Sequence, residues 1–343
     1  MRHADVSTVG VIINPHAGKD IRRLVSAAGQ TSDAVKIGIV RRAVVGALEQ
    51  GAQRVLLSTD THRLAERAVE GLADGIEFVE SPLTGSHLDT IAAARSMWKD
   101  DAGAVVVLGG DGTCRDVALG WPDVPLIPIS TGTNNVFPST LDGTTAGVAA
   151  GLVASGAVDI ADVAHQAKRV ALRVDDPSRD TIHHDAALVE AALIETSFVG
   201  ARAVSDPATI RWVVAAIAEP ASTGVASIAG RVHPVDRREL GGVLIRLGSG
   251  GRRVRVPLAP GSFATVDVQS VEPLAPGEPV DVPGGGVLAY DGERTTPVGT
   301  EATITASVET SGPWVIDVET TLIRAARSQL FDVPPRGKDL HGD

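Results

Sequence analysis

Residues 105 to 121 read VVVLGGDGTCRDVALGW, and this stretch gives the clearest indication of the fold in the first half of the chain. A run of aliphatic, mostly β-branched residues typical of a buried strand stops at glycines and an aspartate, and a helix-like segment follows at once. Glycine lets backbone N–H groups come close to an anion, and the start of a helix adds partial positive charge. The sequence therefore predicts an anion-binding turn, with contacts from Gly109, Gly110, Gly112 and the Thr113 hydroxyl.

Asp111, inside this turn, does not suit a simple anion site, because its charge would repel phosphate. An acid here could bind Mg²⁺, hold a hydroxyl of a ligand or accept a proton, and all three roles occur in phosphoryl transfer. The residues alone leave these roles open.

The first half of the chain alternates apolar runs with amphipathic segments. Strands are predicted at 9–14, 54–59, 76–80, 104–109 and 125–130, and helices at 20–29, 36–50, 62–73 and 86–99. Strands that are apolar on both faces and separated by helices indicate a parallel sheet covered on both sides.

The second half changes character after about residue 155, where alternating segments separated by Gly, Pro and Asp indicate antiparallel strands. Segments 186–196 and 224–230 are interpreted as strands, 205–220 as a helix, and His183 to Asp185 as a surface turn rather than a metal site. We predict an α/β domain over 1–154 and a β-rich domain over 155–312. A strand and helix at 313–331 would pack back on the first domain or bridge the two, and a flexible tail would occupy 332–343.

Polar side chains follow two further strands of the first domain, at the carboxyl edge where parallel sheets bind ligands. After the first strand, Pro15 and Gly18 force a loop, Asn14 offers an amide and Lys19 a positive charge, although the spacing is not that of a Walker A loop. The TGTNN segment follows the fifth strand. There Gly132 and Thr133 would complete a phosphate site, and the amides of Asn134 and Asn135 suit a base, a ribose or a carbonyl.

The β-rich half contains one candidate segment, AYDGERTTPV at 289–298. Asp291-Gly292 is a standard hairpin turn signal, and this interpretation is strong by itself. Asp291 and Glu293 could also supply carboxylates across a cleft from GGDGT.

Composition limits the partners. The net charge is −11, and no continuous basic stripe is present, so nucleic-acid binding and stable membrane association are disfavoured. The single cysteine, Cys114, excludes an intrachain disulfide and a multi-cysteine metal site. No apolar run approaches the roughly 20 residues of a membrane span, and MRHADVST lacks a signal-peptide core. We expect a cytoplasmic protein.

These segments, in this order, resemble the NAD kinase and diacylglycerol kinase superfamily: NP-x-x-GK after the first strand, then GGDGT, GT-N-x-F, and DGE in a β domain. The longer stretches INPHAGKDIRRLV and GTNNVFP are most similar to the ATP-NAD kinase-like branch that includes the acetoin-catabolism X proteins. The resemblance implies an N-terminal parallel α/β domain, a C-terminal antiparallel β domain and a nucleotide between them.

The resemblance also implies site roles. Asn14 and Thr59 would contact nucleotide, GGDGT would lie against phosphate, and Asp111 would lie near the acceptor ribose. Asp291 and Glu293 match carboxylates that lipid-kinase relatives use near Mg²⁺ and as a base. The expected activity is an ATP-dependent, Mg²⁺-dependent kinase with NAD as the default acceptor, in a homo-oligomer that uses small-molecule nucleotides. The base, Asp111 or Asp291, and the donor, ATP or polyphosphate, stay open.

Two alternatives remain from the sequence. One is a nucleotide-binding regulatory protein without catalysis. The other is a lipid kinase. The acidic net charge argues against it, and so does Val136, because lipid kinases typically have an acid at this position.

Overall fold

The computed structural model describes residues 6–17, 31–72, 74–132, 135–195, 207–292 and 294–333. Some predictions lie outside these residues: the helix at 20–29, and the site residues Gly18, Lys19, Thr133, Asn134 and Glu293.

The first half of the chain builds alternating strands and helices. The strands are β1 (Thr8–Ile13), β2 (Arg54–Leu57), β3 (Ile76–Phe78), β4 (Ala104–Gly109), β5 (Pro125–Ser130) and β6 (Ala164–Gln166). The helices are α1 (Asp33–Glu49), α2 (Leu64–Val69), α3 (His87–Lys99), α4 (Asp111–Gly120), α5 (Gly143–Ala154) and α6 (Ile160–Val163).

The second half is mostly strand. It contains β7 (Arg169–Asp176), β8 (Thr181–Ala187), β9 (Glu190–Ile194), β10 (Ile210–Ala215), β11 (Gly242–Ala259), β12 (Ser262–Leu274), β13 (Val280–Pro283), β14 (Gly286–Tyr290), β15 (Arg294–Val298) and β16 (Thr303–Glu309). Helix α7 (Ala226–Val232) lies between β10 and β11, and the described chain ends with β17 (Trp314–Ile316) and α8 (Val318–Arg327).

Three sheets organise these strands. The first has the order β3-β2-β1-β4-β5-β17-β6, in which only the β17–β6 pair is antiparallel. The others are antiparallel, with the orders β12-β11-β10-β9-β14-β15 and β13-β16-β7-β8. The predicted fold class is confirmed. The segment 313–331 returns to the first sheet, where β17 pairs with β5.

The parallel sheet is buried on both faces. Along β1, Val9, Val11 and Ile13 belong to the apolar cluster on one face, and Ile12 to the cluster on the other. Successive side chains of a strand point to opposite faces, so this division explains why the strands read as unbroken apolar runs. Within the described residues, no helix is both long and apolar enough to cross a membrane.

Four interpretations of the second half are wrong. The described part of the segment 205–220 is not a helix, because a short 3-10 turn at Pro207–Thr209 leads into β10. The segment 224–230 is not a strand but mostly helix α7. The described part of 186–196 divides between β8 and β9, and His183 to Asp185 lie within β8 rather than in a turn. The periodicity of a short apolar run does not distinguish a helix from a strand. Here pairing with neighbouring strands determined which segments are strands.

Helix α5 was not predicted, because it consists of small residues with little amphipathic pattern. It packs on α1 through a stripe of glycines, where an added Cβ would overlap backbone of α1: Gly143, Gly147 and Gly151. This close approach fixes α1 against α5.

Candidate functional site

The strand order places the candidate residues along one edge of the first sheet. The chain runs from β1 outward to β2 and β3, then returns to place β4 on the other side of β1. Such a reversal opens a crevice at the carboxyl ends of the two central strands. Asn14 follows β1 and GGDGT follows β4, while Thr59 and Gly132 follow the flanking strands β2 and β5.

The GGDGT segment forms a tight strand-to-helix turn. Gly110 is the N-cap of α4, with φ −107° and ψ −170°, and the helix begins at Asp111. A Cβ on Gly109 would overlap the Thr113 side chain, so only glycine fits there. The first bond inside the helix is donated by the Cys114 N–H to Gly110 O at 3.1 Å. The Gly110 N–H donates to Thr113 Oγ1 at 3.4 Å. The first N–H groups of a helix lie outside its repeating i to i−4 bonding pattern, which makes a helix start suited to an anion.

Asn14 joins the first loop to this turn. Its Nδ2 donates to Thr113 Oγ1 at 2.9 Å, and its Oδ1 accepts from the N–H groups of His16 (2.9 Å) and Ala17 (3.2 Å). The predicted amide at the mouth of β1 therefore binds protein groups, and it connects the ends of β1 and β4.

Lys36, in α1, lies beneath the same loop. It is buried and donates through Nζ to the carbonyl oxygens of Asn14 (3.1 Å), Pro15 (2.8 Å) and Ala17 (2.7 Å). Sequence reasoning missed Lys36. Its only signal was a lysine on the apolar face of a predicted helix.

The Asp111 carboxylate faces the loop that follows β5. Only 5% of the residue is exposed, and it accepts from the backbone N–H groups of Val136 (3.0 Å) and Phe137 (2.8 Å). The carbonyl of Val136 accepts from Arg237 Nη2 at 3.0 Å, and Arg237 pairs with Glu219 at 2.7 Å. Residues of both domains thus hold this loop over the turn.

The Asp291 carboxylate also binds backbone. Asp291 and Gly292 have φ of +49° and +67° and form the predicted hairpin turn between β14 and β15. The carboxylate accepts from the N–H groups of Leu188 (3.0 Å), Val189 (2.8 Å) and Glu190 (3.3 Å). Burial raises the pKa of Asp291, while the charge of Arg115 and these N–H groups act in the opposite direction.

Arg115 connects helix α4 to the β-rich half of the chain and was also missed from the sequence. It is 1% exposed, forms an ion pair with Asp185, donates to Ala186 O and lies 4.9 Å from the Tyr290 ring centroid. Asp111 and Arg115 are four positions apart in α4, hence about one helical turn apart. The N-terminal end of α4 therefore lies against the β domain near Asp291. The sequence signal was a charged residue in a helix with a buried face.

The remaining candidates that the structure describes make local contacts. The Thr59 hydroxyl lies 3.1 Å from that of Ser81. Asn135 Nδ2 donates to Ser130 Oγ at 2.7 Å, and the Asn135 side chain lies against Gly132, leaving no room for a Cβ there. Asn135 thus supports the turn after β5.

Mg²⁺ in kinases is usually held by one or two carboxylates together with substrate phosphates and water. The described residues contain no group of three or more His, Cys, Asp or Glu arranged to hold a metal ion. The role of Asp291 as a Mg²⁺ ligand stays a prediction.

The sheet order and the position of the site are those of a protein with the NAD kinase-like fold. Residues 9–157 match the model of the ATP-NAD kinase N-terminal domain. The chain is similar in structure to a yeast NADH kinase complexed with NADH, with a TM-score of 0.52, 13% identity, and coverage of 98% of this chain and 94% of that one. This likeness concerns the fold.

The particular family follows from the second half. Residues 168–311 match the model of the acetoin catabolism protein X C-terminal domain. Acetoin catabolism protein X of Cupriavidus necator is 34% identical over 341 residues, 96% of this chain and 95% of that protein. The chain belongs to this family. An uncharacterized protein of Archaeoglobus fulgidus is 33% identical over 132 residues, 38% of this chain and 36% of that one.

Proposed function

We propose that this protein is a phosphotransferase that moves a phosphoryl group from ATP to a hydroxyl of a soluble nucleotide, with NAD the first acceptor to test. One observation carries the proposal. The glycine-rich start of α4 lies at the switch point of the sheet, beside the end of β1, and the Asn14–Thr113 hydrogen bond joins the two. Phosphate binding at a helix N-terminus in this position is a general property of open α/β sheets.

The roles follow from charge and position. Backbone N–H groups at the start of α4 would hold donor phosphates, and Mg²⁺ bound with the nucleotide would neutralise charge on them. Positioning and electrostatics supply most of the catalysis in phosphoryl transfer. Asp111 or Asp291 would accept the hydroxyl proton, and Glu293 is the third proposed carboxylate of the site.

The acceptor is proposed from two facts. One similar solved structure is that of a yeast NADH kinase complexed with NADH. The chain carries a net charge of −11, which disfavours an anionic lipid surface and therefore a lipid acceptor.

The Asp111→Asn variant tests the proposal. We expect turnover of ATP with NAD to fall by about 10² to 10⁴, because the amide cannot accept a proton. Nucleotide binding, measured by calorimetry, should change little, since the N–H groups of α4 remain. Asp89→Asn is the control, because Asp89 likewise accepts N–H groups, from Thr84 and Gly85 near the start of α3, on an exposed surface. Full turnover in Asp111→Asn would refute the role of Asp111.

A nucleotide-binding regulator without catalysis is the second candidate. It is favoured by one observation: Asp111 and Asp291 are both buried and both bound to backbone N–H groups. Calorimetry with ATP and NAD, run beside a product assay with a panel of hydroxyl acceptors, separates the two. Tight binding without phosphorylated product would establish the regulator.

A further inference from the structure

Lys36 is a buried cation under the first loop, and none of its surface is exposed. A buried ammonium group is costly unless polar groups replace its hydration. Three carbonyl oxygens of one loop do so, those of Asn14, Pro15 and Ala17, at 2.7 to 3.1 Å. An ammonium group has three N–H donors, so each of these three carbonyls can accept from one of them.

The loop is held from two directions. Its carbonyls converge on Lys36 Nζ, much as backbone carbonyls surround a bound cation. Its N–H groups at His16 and Ala17 donate to Asn14 Oδ1. A loop whose donors and acceptors are both bound in this way has one preferred shape, and Lys36 Nζ is the donor that binds the carbonyl acceptors of the loop.

The restraint extends to the phosphate-binding turn. Lys36 and the N–H groups of the loop both bind Asn14. The Nδ2 of Asn14 in turn donates to Thr113 in the first turn of α4. Helix α1, which carries Lys36, is fixed by its glycine-mediated packing on α5. A continuous series of contacts therefore runs from the core, through Lys36 and Asn14, to the start of α4.

We propose that Lys36 is a positioning residue for the phosphate-binding edge: it sets the shape of the loop Asn14–Ala17, and through Asn14 it orients Thr113 and the N-terminus of α4 toward nucleotide. The identity of the ligand in this inference rests on the proposed function. The effect of Lys36 on the loop does not depend on that function.

Hydrogen exchange of the free protein tests the loop directly. In Lys36→Met, the N–H groups of His16 and Ala17 should exchange at least about tenfold faster, because the loop loses its central donor. Lys168→Met is the matched control, since Lys168 is also buried and donates to two carbonyls, of Asp236 and Gly241, in another part of the molecule. In that variant the two N–H groups should exchange as in the wild type. Equal exchange in Lys36→Met and the wild type would overturn the proposal.

Calorimetry with ATP tests the consequence for the ligand. Lys36→Met should bind ATP roughly 10- to 100-fold more weakly, the range seen when a residue that supports a binding group is removed. Lys168→Met should bind as the wild type does, which separates positioning from a general loss of stability. Unchanged affinity in Lys36→Met would refute the role in binding. If the wild type itself binds no nucleotide, the proposed function fails, and the exchange measurement still decides the role of Lys36.

Asn14→Ala keeps the inference testable if Lys36→Met does not fold. It removes the contact with Thr113 and leaves Lys36 in place, so ATP affinity should fall by a similar factor. In the double variant, where it folds, the two losses should not multiply, because both changes break the same series of contacts. Wild-type ATP affinity in Asn14→Ala, or fully multiplicative losses in the double variant, would contradict the inference.

Discussion

At the residue scale, Arg115 is the buried charge that joins helix α4 to the β-rich half of the chain. Its guanidinium forms ion pairs with Asp185 and, at 3.5 Å, with Asp116, and it opposes the rise of the Asp291 pKa that burial causes. A buried guanidinium is stable only beside such counter-charges, and the buried carboxylates in turn require its positive charge. Arg115 is therefore a stabilising residue that also sets the environment of a proposed catalytic carboxylate.

Replacing Arg115 by methionine should lower the free energy of unfolding by about 3–5 kcal/mol, because buried carboxylates would lose their counter-charge. Urea denaturation followed by circular dichroism measures this. Arg169→Met is the comparison, since Arg169 pairs with Glu309 at 3.3 Å but its side chain is 33% exposed. That change should cost less than about 1 kcal/mol. A similar loss in both variants would contradict the importance of burial.

At the element scale, the contact between α1 and α5 positions the first loop. Three glycines of α5 bring the two helix backbones together, and α1 carries Lys36 near its N-terminal end. Close packing of this kind tolerates neither added volume nor a change in helix separation.

Gly147→Ala should destabilise the protein by about 3 kcal/mol, because the added methyl would overlap the backbone of Ala43. Gly38→Ala, in α1, is the control. There a Cβ would lie 3.3 Å from the terminal Nη1 of Arg42, a flexible group that can move away. Removing a glycine from a helix interior without a clash should stabilise by about 0.5–1 kcal/mol. Thermal unfolding of both variants checks the opposite signs, and a stabilising Gly147→Ala would disprove the close packing.

At the scale of the whole molecule, the stability depends on pH through a lysine beside the junction of the domains. Lys168, between β6 and β7, donates to the carbonyls of Asp236 and Gly241. Burial lowers the pKa of Lys168 to about 8, against the opposite influence of Glu239 and Asp236. In the unfolded chain the pKa returns to its ordinary value near 10.5.

The sign of the effect follows from proton binding. Between about pH 8 and 10.5 the unfolded chain holds a proton that the folded chain has released, so this lysine adds stability as pH rises. Relative to Lys168→Met, the wild type should gain roughly 3 kcal/mol of unfolding free energy across this interval. Urea denaturation of both proteins at several pH values measures the difference. A difference that stays constant with pH would refute the lowered pKa.

Local patterns in the sequence determined much of this protein. The strand, glycine turn and helix at 104–120 follow from β-branched residues that stop at glycines, and the hairpin at Asp291-Gly292 follows from a dipeptide suited to positive φ. The alternation of strands and helices predicted the parallel sheet, because each signal lies within a few neighbouring residues. Small-residue helices such as α5 and apolar runs such as β10 lack such a signal, so they were missed or misassigned.

The partners of the buried charges depend instead on how distant parts of the chain pack together. Arg115 meets Asp185 across 70 positions of sequence, and the Asp291 carboxylate meets the Leu188 N–H across 103. Lys36 reaches Asn14 across 22 positions. The energy of a charge depends on which dipoles and counter-charges surround it after water has been excluded, and packing fixes those surroundings. The sequence therefore indicated where the glycine-rich edge proposed to bind phosphate would form, whereas the packing of the folded chain selected the charged side chains that lie around it.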